Sequence, residues 1–195
     1  MKAVIFDLNG VLIRSEYLSD RFEEVHGVPS DDFITALKDV MSQVRKPDAP
    51  RAFDLWKPYF DTWNLSLTEE QFFNFWFSGE SVVIETLDYI RELHAKGMRI
   101  FILSNNFRER TTYYRTHFPE IFDNIDKAYF SWETGYVKPS KESLEFVLME
   151  NALNPNEVVY FDDSEVNIEL ARNIGVDGQL WKGLATAQRY LENYT

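Results

Sequence analysis

Three apolar runs in this chain stop at residues whose side chains can do chemistry. Ala3-Val4-Ile5-Phe6 stops at Asp7-Leu8-Asn9-Gly10, Met98-Arg99-Ile100-Phe101-Ile102-Leu103 at Ser104-Asn105-Asn106, and Val158-Val159-Tyr160-Phe161 at Asp162-Asp163. A carboxylate at a strand end can ligate a metal or act as a covalent nucleophile. Two adjacent carboxylates are costly to crowd unless a cation lies beside them, and an oxygen-only donor set suits magnesium. Ser104 and Asn105 can bind phosphate through a hydroxyl and backbone N–H groups. Lys138, in Gly135-Tyr136-Val137-Lys138-Pro139, stands before a proline that restricts the chain, and a fixed lysine there can neutralise a phosphoryl group. Each feature also has a plainer reading. Asp7 suits a turn, Asp162-Asp163 a helix N-terminus, Ser104-Asn105 an N-cap, and Lys138 solvated surface.

The elements that must position these residues follow from periodicity. Residues 3–6, 98–103, 127–131 and 158–161 read as strands, with a further strand near 176–181. Residues 82–96, with Val83, Ile84, Leu87, Ile90 and Leu93 on one face and Gly97 as a stop, read as a helix. Further helices are expected over 108–117, 141–151, from Ser164 to near Gly175, and over 184–194. Strands alternating with helices predict a parallel sheet covered on both faces, with ligands at the carboxyl ends of the strands. Residues 15–79 differ. Their spacing is helical, with Pro29, Pro47, Pro50 and Pro58 as punctuation and no good strand, so three or four helices forming an all-α insert are expected. The resulting organisation is an α/β, Rossmann-like core of residues 1–14 and 80–195, with a helical cap of residues 15–79.

Composition narrows the function classes. The formal net charge of -12 makes nucleic acid and anionic membranes poor partners, so a phosphate ligand must be held by local donors. The absence of cysteine excludes a thiol nucleophile and a zinc-thiolate site. No apolar run is long enough to span a bilayer, and a soluble cytoplasmic protein is expected. Trp56, Trp63, Phe73 and Trp76 fit the packing of a small bundle that needs large side chains for a core. A sharper alternative puts one or two of them over the site. Arg14, Glu16 and Tyr17 are candidates to line a cleft between insert and core. Arg45, Lys46 and Arg51 are read as solvated surface, and His26, His94 and His117 carry no catalytic assignment. Oligomeric state is not legible.

In their joint order these segments resemble the four motifs of the haloacid-dehalogenase-like (HAD) superfamily. Phe6-Asp7-Leu8-Asn9-Gly10-Val11-Leu12 is similar to motif one, Ile102-Leu103-Ser104-Asn105 to motif two, Gly135-Tyr136-Val137-Lys138-Pro139 to motif three, and the run from Phe161-Asp162-Asp163-Ser164 onward to motif four. The helical insert resembles the small cap of the branch that includes sugar-phosphate phosphatases. The resemblance implies a magnesium-dependent phosphatase of small phosphomonoesters, a sugar phosphate or nucleotide, working through an aspartyl-phosphate on Asp7. Mg2+ would be held by Asp7, the backbone carbonyl of Asn9, Asp163 and Asp162, the last directly or through water. Ser104, the N–H of Asn105 and Lys138 would cradle the phosphoryl oxygens.

Asn9 departs from the family pattern, which usually has an aspartate here to protonate the leaving group and activate water. An amide has no proton to exchange near neutral pH, and losing that role costs ~10²–10⁴-fold in rate. Three readings stay open: a natural member using another group or substrate assistance, an engineered Asp→Asn variant, and a non-catalytic phosphate-ligand-binding relative. A 2-haloacid dehalogenase is the weaker alternative, since that branch usually carries another residue at this position and needs no magnesium.

Overall fold

The computed structural model describes residues 1–192 and 194. In chain order, β1 (Ala3–Phe6) leads to a short β2 (Ile13–Ser15). Four helices follow: α1 (Leu18–His26), α2 (Ser30–Val44), α3 (Ala52–Thr62) and α4 (Glu69–Phe77). The chain returns through β3 (Glu80–Val82) to α5 (Ile84–Ala95), β4 (Arg99–Ser104), α6 (Arg108–His117), β5 (Lys127–Phe130) and a single turn, α7 (Ser131–Thr134). It ends with α8 (Lys141–Glu150), β6 (Val158–Asp162), α9 (Glu165–Asn173), β7 (Asp177–Leu180) and α10 (Leu184–Leu191).

Five strands form one sheet in the order β5-β4-β1-β6-β7, and every pairing is parallel. Side chains on a strand alternate between faces. Val4 and Phe6 therefore join Ile100, Ile102, Val159 and Phe161 on one face, under α5, α6 and α10. Ala3 and Ile5 join Phe101, Leu103, Val158 and Tyr160 on the other, under α8 and α9. Both faces of the central strands are thus buried, which is why these segments read as unbroken apolar runs rather than alternating ones. The result is the expected α/β Rossmann-like parallel sheet with an all-helical insertion.

The helices α1 to α4 build a separate aromatic core. Phe33 stacks on Trp56 at 5.2 Å, and Phe72 meets Phe60 at 4.9 Å and Trp56 at 5.0 Å. Phe107, from the core, completes this cluster against Trp76 at 5.3 Å. Trp56 is fully buried, so its role is packing. Thr68 starts α4 with a capping box, its hydroxyl accepting from the Gln71 N–H while the Gln71 side chain accepts from the Thr68 N–H.

Three local expectations are corrected. The helix expected from Val82 starts at Ile84, because residues 80–82 are strand: β3 pairs antiparallel with β2, Ile13 opposite Val82 and Ser15 opposite Glu80. Three residues carry no usable period, and Val82 and Val83 happen to match the apolar spacing of the helix that follows. Pro58 lies inside α3 instead of ending it. A proline there costs about 3 kcal/mol, and the burial of Phe53, Trp56 and Phe60 on the same helix outweighs it. The last expected helix stops at Leu191, and its residue 193 lies outside the described residues.

No helix among the described residues is long and apolar enough to cross a membrane. Because Phe72 is wholly buried and touches the rings of Phe22, Trp56, Phe60, Phe73 and Trp76, Phe72→Ala is expected to cost about 3–5 kcal/mol, measured as a lowered denaturant midpoint with an unchanged slope.

Candidate active site

The chain leaves β1 on the β4 side and later returns on the β6 side, so a crevice opens beyond the carboxyl end of β1. Asp7 is the first residue past that end, and its N–H still donates to the Phe161 carbonyl at 2.8 Å. Ser104 ends β4 and Asp162 ends β6, on the two flanking strands. One carboxylate oxygen from each of Asp7, Asp162 and Asp163 lies within 4.8 Å of the others. Acids more than 150 positions apart therefore meet at one point. Gly10 makes the approach feasible. It turns the chain at φ +89°, and a Cβ there would collide with the Asp163 carboxylate.

Lys138 holds this acid cluster together. Its buried ammonium donates to Asp7 Oδ1 at 2.8 Å and to Asp162 Oδ2 at 2.7 Å. Asn105 fixes the lysine's backbone from 33 residues away: its Nδ2 donates to the Lys138 carbonyl at 2.7 Å and its Oδ1 accepts the Lys138 N–H at 2.8 Å. Asp162 also accepts from the Tyr160 hydroxyl, from the Ser164 N–H at 2.8 Å and from Asn167 Nδ2 at 2.9 Å. The carboxylates respond differently. Burial pushes the Asp7 carboxyl up to about 6, with Asp162 adding to the rise and Lys138 opposing it. Asp162 is also desolvated, but Lys138 and its hydrogen bonds hold it below the usual range. Burial and then Asp162 raise Asp163. One lysine thus leaves negative charge in excess, and three hard oxygens facing one point suit a divalent cation such as magnesium.

Asn9 is engaged at both ends of its amide. Its Nδ2 donates to the Tyr114 hydroxyl at 2.8 Å, and its Oδ1 accepts from Asn106 Nδ2 at 3.2 Å. Tyr114 is buried and its hydroxyl is held protonated by burial, with the Glu80 carboxylate beside it. Glu80 in turn pairs with Arg110, which also donates to Ser15 Oγ at 3.3 Å. A chain of polar contacts therefore runs from the first loop to the β2–β3 ribbon.

Among the residues singled out from sequence, Asp7, Asp162, Asp163 and Lys138 converge directly. Ser104 is buried at the end of β4. Neither Ser104 nor Asn105 caps α6: Phe107 occupies the N-cap position, and its N–H is taken by Asn106 Oδ1 at 3.0 Å. Arg14 lines an open groove with Gly10 and Val11, Glu16 pairs with Arg21 at 3.2 Å, and Tyr17 stands in solvent. Lys46 is exposed, and the exposed Arg51 pairs with Glu69. Arg45 is not the solvated residue expected: it is half-buried, and its Nε is sealed from water. His26 packs on Phe22 at 4.5 Å and His117 on Tyr113 at 4.0 Å, as structural rings. Sequence reasoning missed Asn106, Tyr114, Arg110 and Glu80. Arg110 and Tyr114 share a helix face at i and i+4, the one local signal that pointed to a pair.

Comparison with known proteins supports the same grouping. A family model described as haloacid dehalogenase-like hydrolase matches residues 1–175. The chain is 26% identical over 220 residues to bifunctional epoxide hydrolase 2 of Rattus norvegicus, covering 100% of this chain and 39% of that protein. It is 27% identical over 101 residues to D-ribitol-5-phosphate phosphatase of Bacteroides thetaiotaomicron, covering 49% of this chain and 48% of the phosphatase. The chain thus spans less than half the length of either curated relative. In fold it is similar to a HAD family enzyme of Bacteroides thetaiotaomicron, with TM-score 0.85, 22% identity, and coverage of 97% of this chain and 98% of that one. The same enzyme has been crystallised with magnesium and inorganic phosphate.

The Asp7 shift has a consequence for stability. Between about pH 4 and pH 6 the folded protein keeps a proton on Asp7 that the unfolded chain has lost, so this group destabilises the fold as pH rises through that window and fully above it. In metal-free protein, Asp7→Asn is expected to add about 1–3 kcal/mol near pH 8 and almost nothing near pH 4, measured by urea unfolding in the presence of a chelator.

Proposed function

Because the chain belongs to the haloacid dehalogenase-like hydrolases, we propose that it is a magnesium-dependent phosphatase of small phosphomonoesters, with Asp7 as nucleophile. The observation that carries this reading is the meeting of Asp7, Asp162 and Asp163 around one point, with the Lys138 ammonium bridging Asp7 and Asp162. Mg2+ would be held by Asp7, the Asn9 carbonyl and Asp163, with Asp162 as a direct or water-mediated ligand. Bound there, it would neutralise charge on the transferring phosphoryl group. Asp7 attacks phosphorus as the P–O ester bond breaks, the departing alcohol oxygen takes its proton from water, and a second water then cleaves the aspartyl-phosphate to release inorganic phosphate and restore Asp7. Lys138, the Ser104 hydroxyl and the Asn105 N–H cradle the phosphoryl oxygens, so the protein's contribution is positioning and charge stabilisation. Asn105 serves this by holding Lys138 through its backbone.

Residues 15–79 act in this reading as a cap that shields the site and meets the leaving group. The contact of Trp76 and Phe77 with Phe107 and Tyr113 supports a seat for it on the core. A sugar phosphate is the favoured substrate class, since one of the relatives is a D-ribitol-5-phosphate phosphatase. Asn9 holds the place of the acid–base aspartate without its chemistry. Its two matched partners, Tyr114 and Asn106, favour a natural residue over an introduced one.

p-Nitrophenyl phosphate tests this directly, because its leaving group departs without needing a proton. With Mg2+ the expected result is a burst of about one equivalent of nitrophenolate and then slow turnover, since no residue at position 9 activates water. Asp7→Ala should abolish both phases. Asn9→Asp should remove the burst and raise the steady rate by ~10²-fold or more. Saturable phosphate binding with no turnover in either version would replace the phosphatase reading with that of a binding protein.

A further inference from the structure

Two helices of the core start at one groove, and neither is capped. α5 leads into β4 and α10 follows β7, so both run against the strands and begin at the carboxyl end of the sheet. Their N-cap residues, Val83 and Gly183, supply no side-chain acceptor, and the first N–H groups of each helix have no partner within it. Both N-caps line a groove of about 560 Å³. Its walls are fixed from below. The Val83 N–H donates to the Leu12 carbonyl at 2.9 Å, and Trp181, also in the lining, donates its N–H to the Asp162 carbonyl at 2.8 Å.

Thr86 is an independent sign that the groove takes a ligand. It lines the groove and is 1% exposed, yet its hydroxyl is buried with no hydrogen-bond partner. Side chains on a helix lean toward its N-terminus, which aims this third-position residue at the uncapped end. An unpaired buried hydroxyl is unfavourable, and an acceptor oxygen in the groove would satisfy it. Arg14 adds a cation to the same lining, with no hydrogen bond or ion pair to any described residue. The one acid in the lining, Glu85, stands in the first turn of α5 and does not pair with it. Donors and positive charge are thus in excess.

We propose that this groove is a binding site for a small organic anion. Its carboxylate or phosphate head is held by the starts of α5 and α10, the Thr86 hydroxyl and Arg14, and its carbon body lies against Trp181 and Leu184. The site is separate from the acid cluster. Asp7, Asp162, Lys138 and Ser104 do not line the groove. Gly10 does, and it also stands against the Asp163 carboxylate, so the first loop borders both sites. The proposal does not depend on the phosphatase reading.

Metal-free protein, dialysed without chelator, separates the two sites, because the acid cluster repels anions until a cation is bound. The probes are phenylphosphonate, benzoate and the neutral benzyl alcohol, titrated into the isotope-labelled full chain and followed by backbone amide shifts. At least one of the two anions is expected to saturate a single site about tenfold more tightly than benzyl alcohol, with shifts centred on residues 84–86 and 184–186 and unchanged in Asp7→Ala. Thr86→Val should weaken binding about fivefold while melting no lower than wild type, since it deletes only an unpaired hydroxyl. Arg14→Gln should weaken binding about threefold, and Glu85→Gln should tighten it by about as much, a gain that a merely structural role would not produce. The proposal is overturned if neither anion binds, if benzyl alcohol binds as well, or if affinity ignores all three groove substitutions. Shifts centred on Asp7 and Lys138, or binding lost in Asp7→Ala, overturn it by placing the anion at the acid cluster. Turnover of p-nitrophenyl phosphate, present or absent, bears only on the phosphatase reading.

Discussion

The bridge from Lys138 to Asp7 and Asp162 is the interaction on which the site depends. Three carboxylates meet where the sheet ends, and two of them are almost fully buried. Without a cation between them, mutual repulsion and lost hydration would drive them apart or protonate them. Everything nearby serves that one ammonium or divides its charge. Asn105 grips its backbone, while Tyr160, Asn167 and the Ser164 N–H share the load on Asp162. Asp162 is therefore the settled member of the set and Asp7 the unsettled one. Such asymmetry between neighbouring acids is a feature that clusters at functional sites.

The sheet was legible in the sequence because its physics is local and strong. A central parallel strand buried on both faces must be apolar at every position, and residues 3–6 and 158–161 satisfy this without exception. The polar residues that follow each run then mark where the strands stop. Other parts were opaque for equally physical reasons. Asn105 looks like a cap from its neighbours, but its partner is 33 residues away. Arg45 looks solvated because most arginines are, yet it is half-buried with its Nε sealed from water. Glu80 follows a glycine in a three-residue strand and gives no periodic signal, yet its side chain is almost fully buried.

Asn9 illustrates how one substitution is absorbed by its surroundings. The amide donates a hydrogen bond to the Tyr114 oxygen and accepts one from Asn106, which leaves the phenol O–H facing Glu80. A carboxylate at the same place would compete with Glu80 for that proton, in a region where both are short of solvent. The polar line thus runs from the first loop through α6 to β3, where Arg110 pairs with Glu80, although Glu80 Oε2 and Arg110 Nε are buried without hydrogen-bond partners.

That line ends on the ribbon formed by β2 and β3. Ile13 lies opposite Val82, so the sixty-odd residues between them leave and rejoin the core side by side. The sheet consequently registers that whole excursion as a hairpin, whatever its length or contents. Closing a longer or shorter excursion across paired ends changes the entropy only logarithmically. The helical insertion is therefore free to be lengthened, shortened or exchanged while the sheet keeps its strand order.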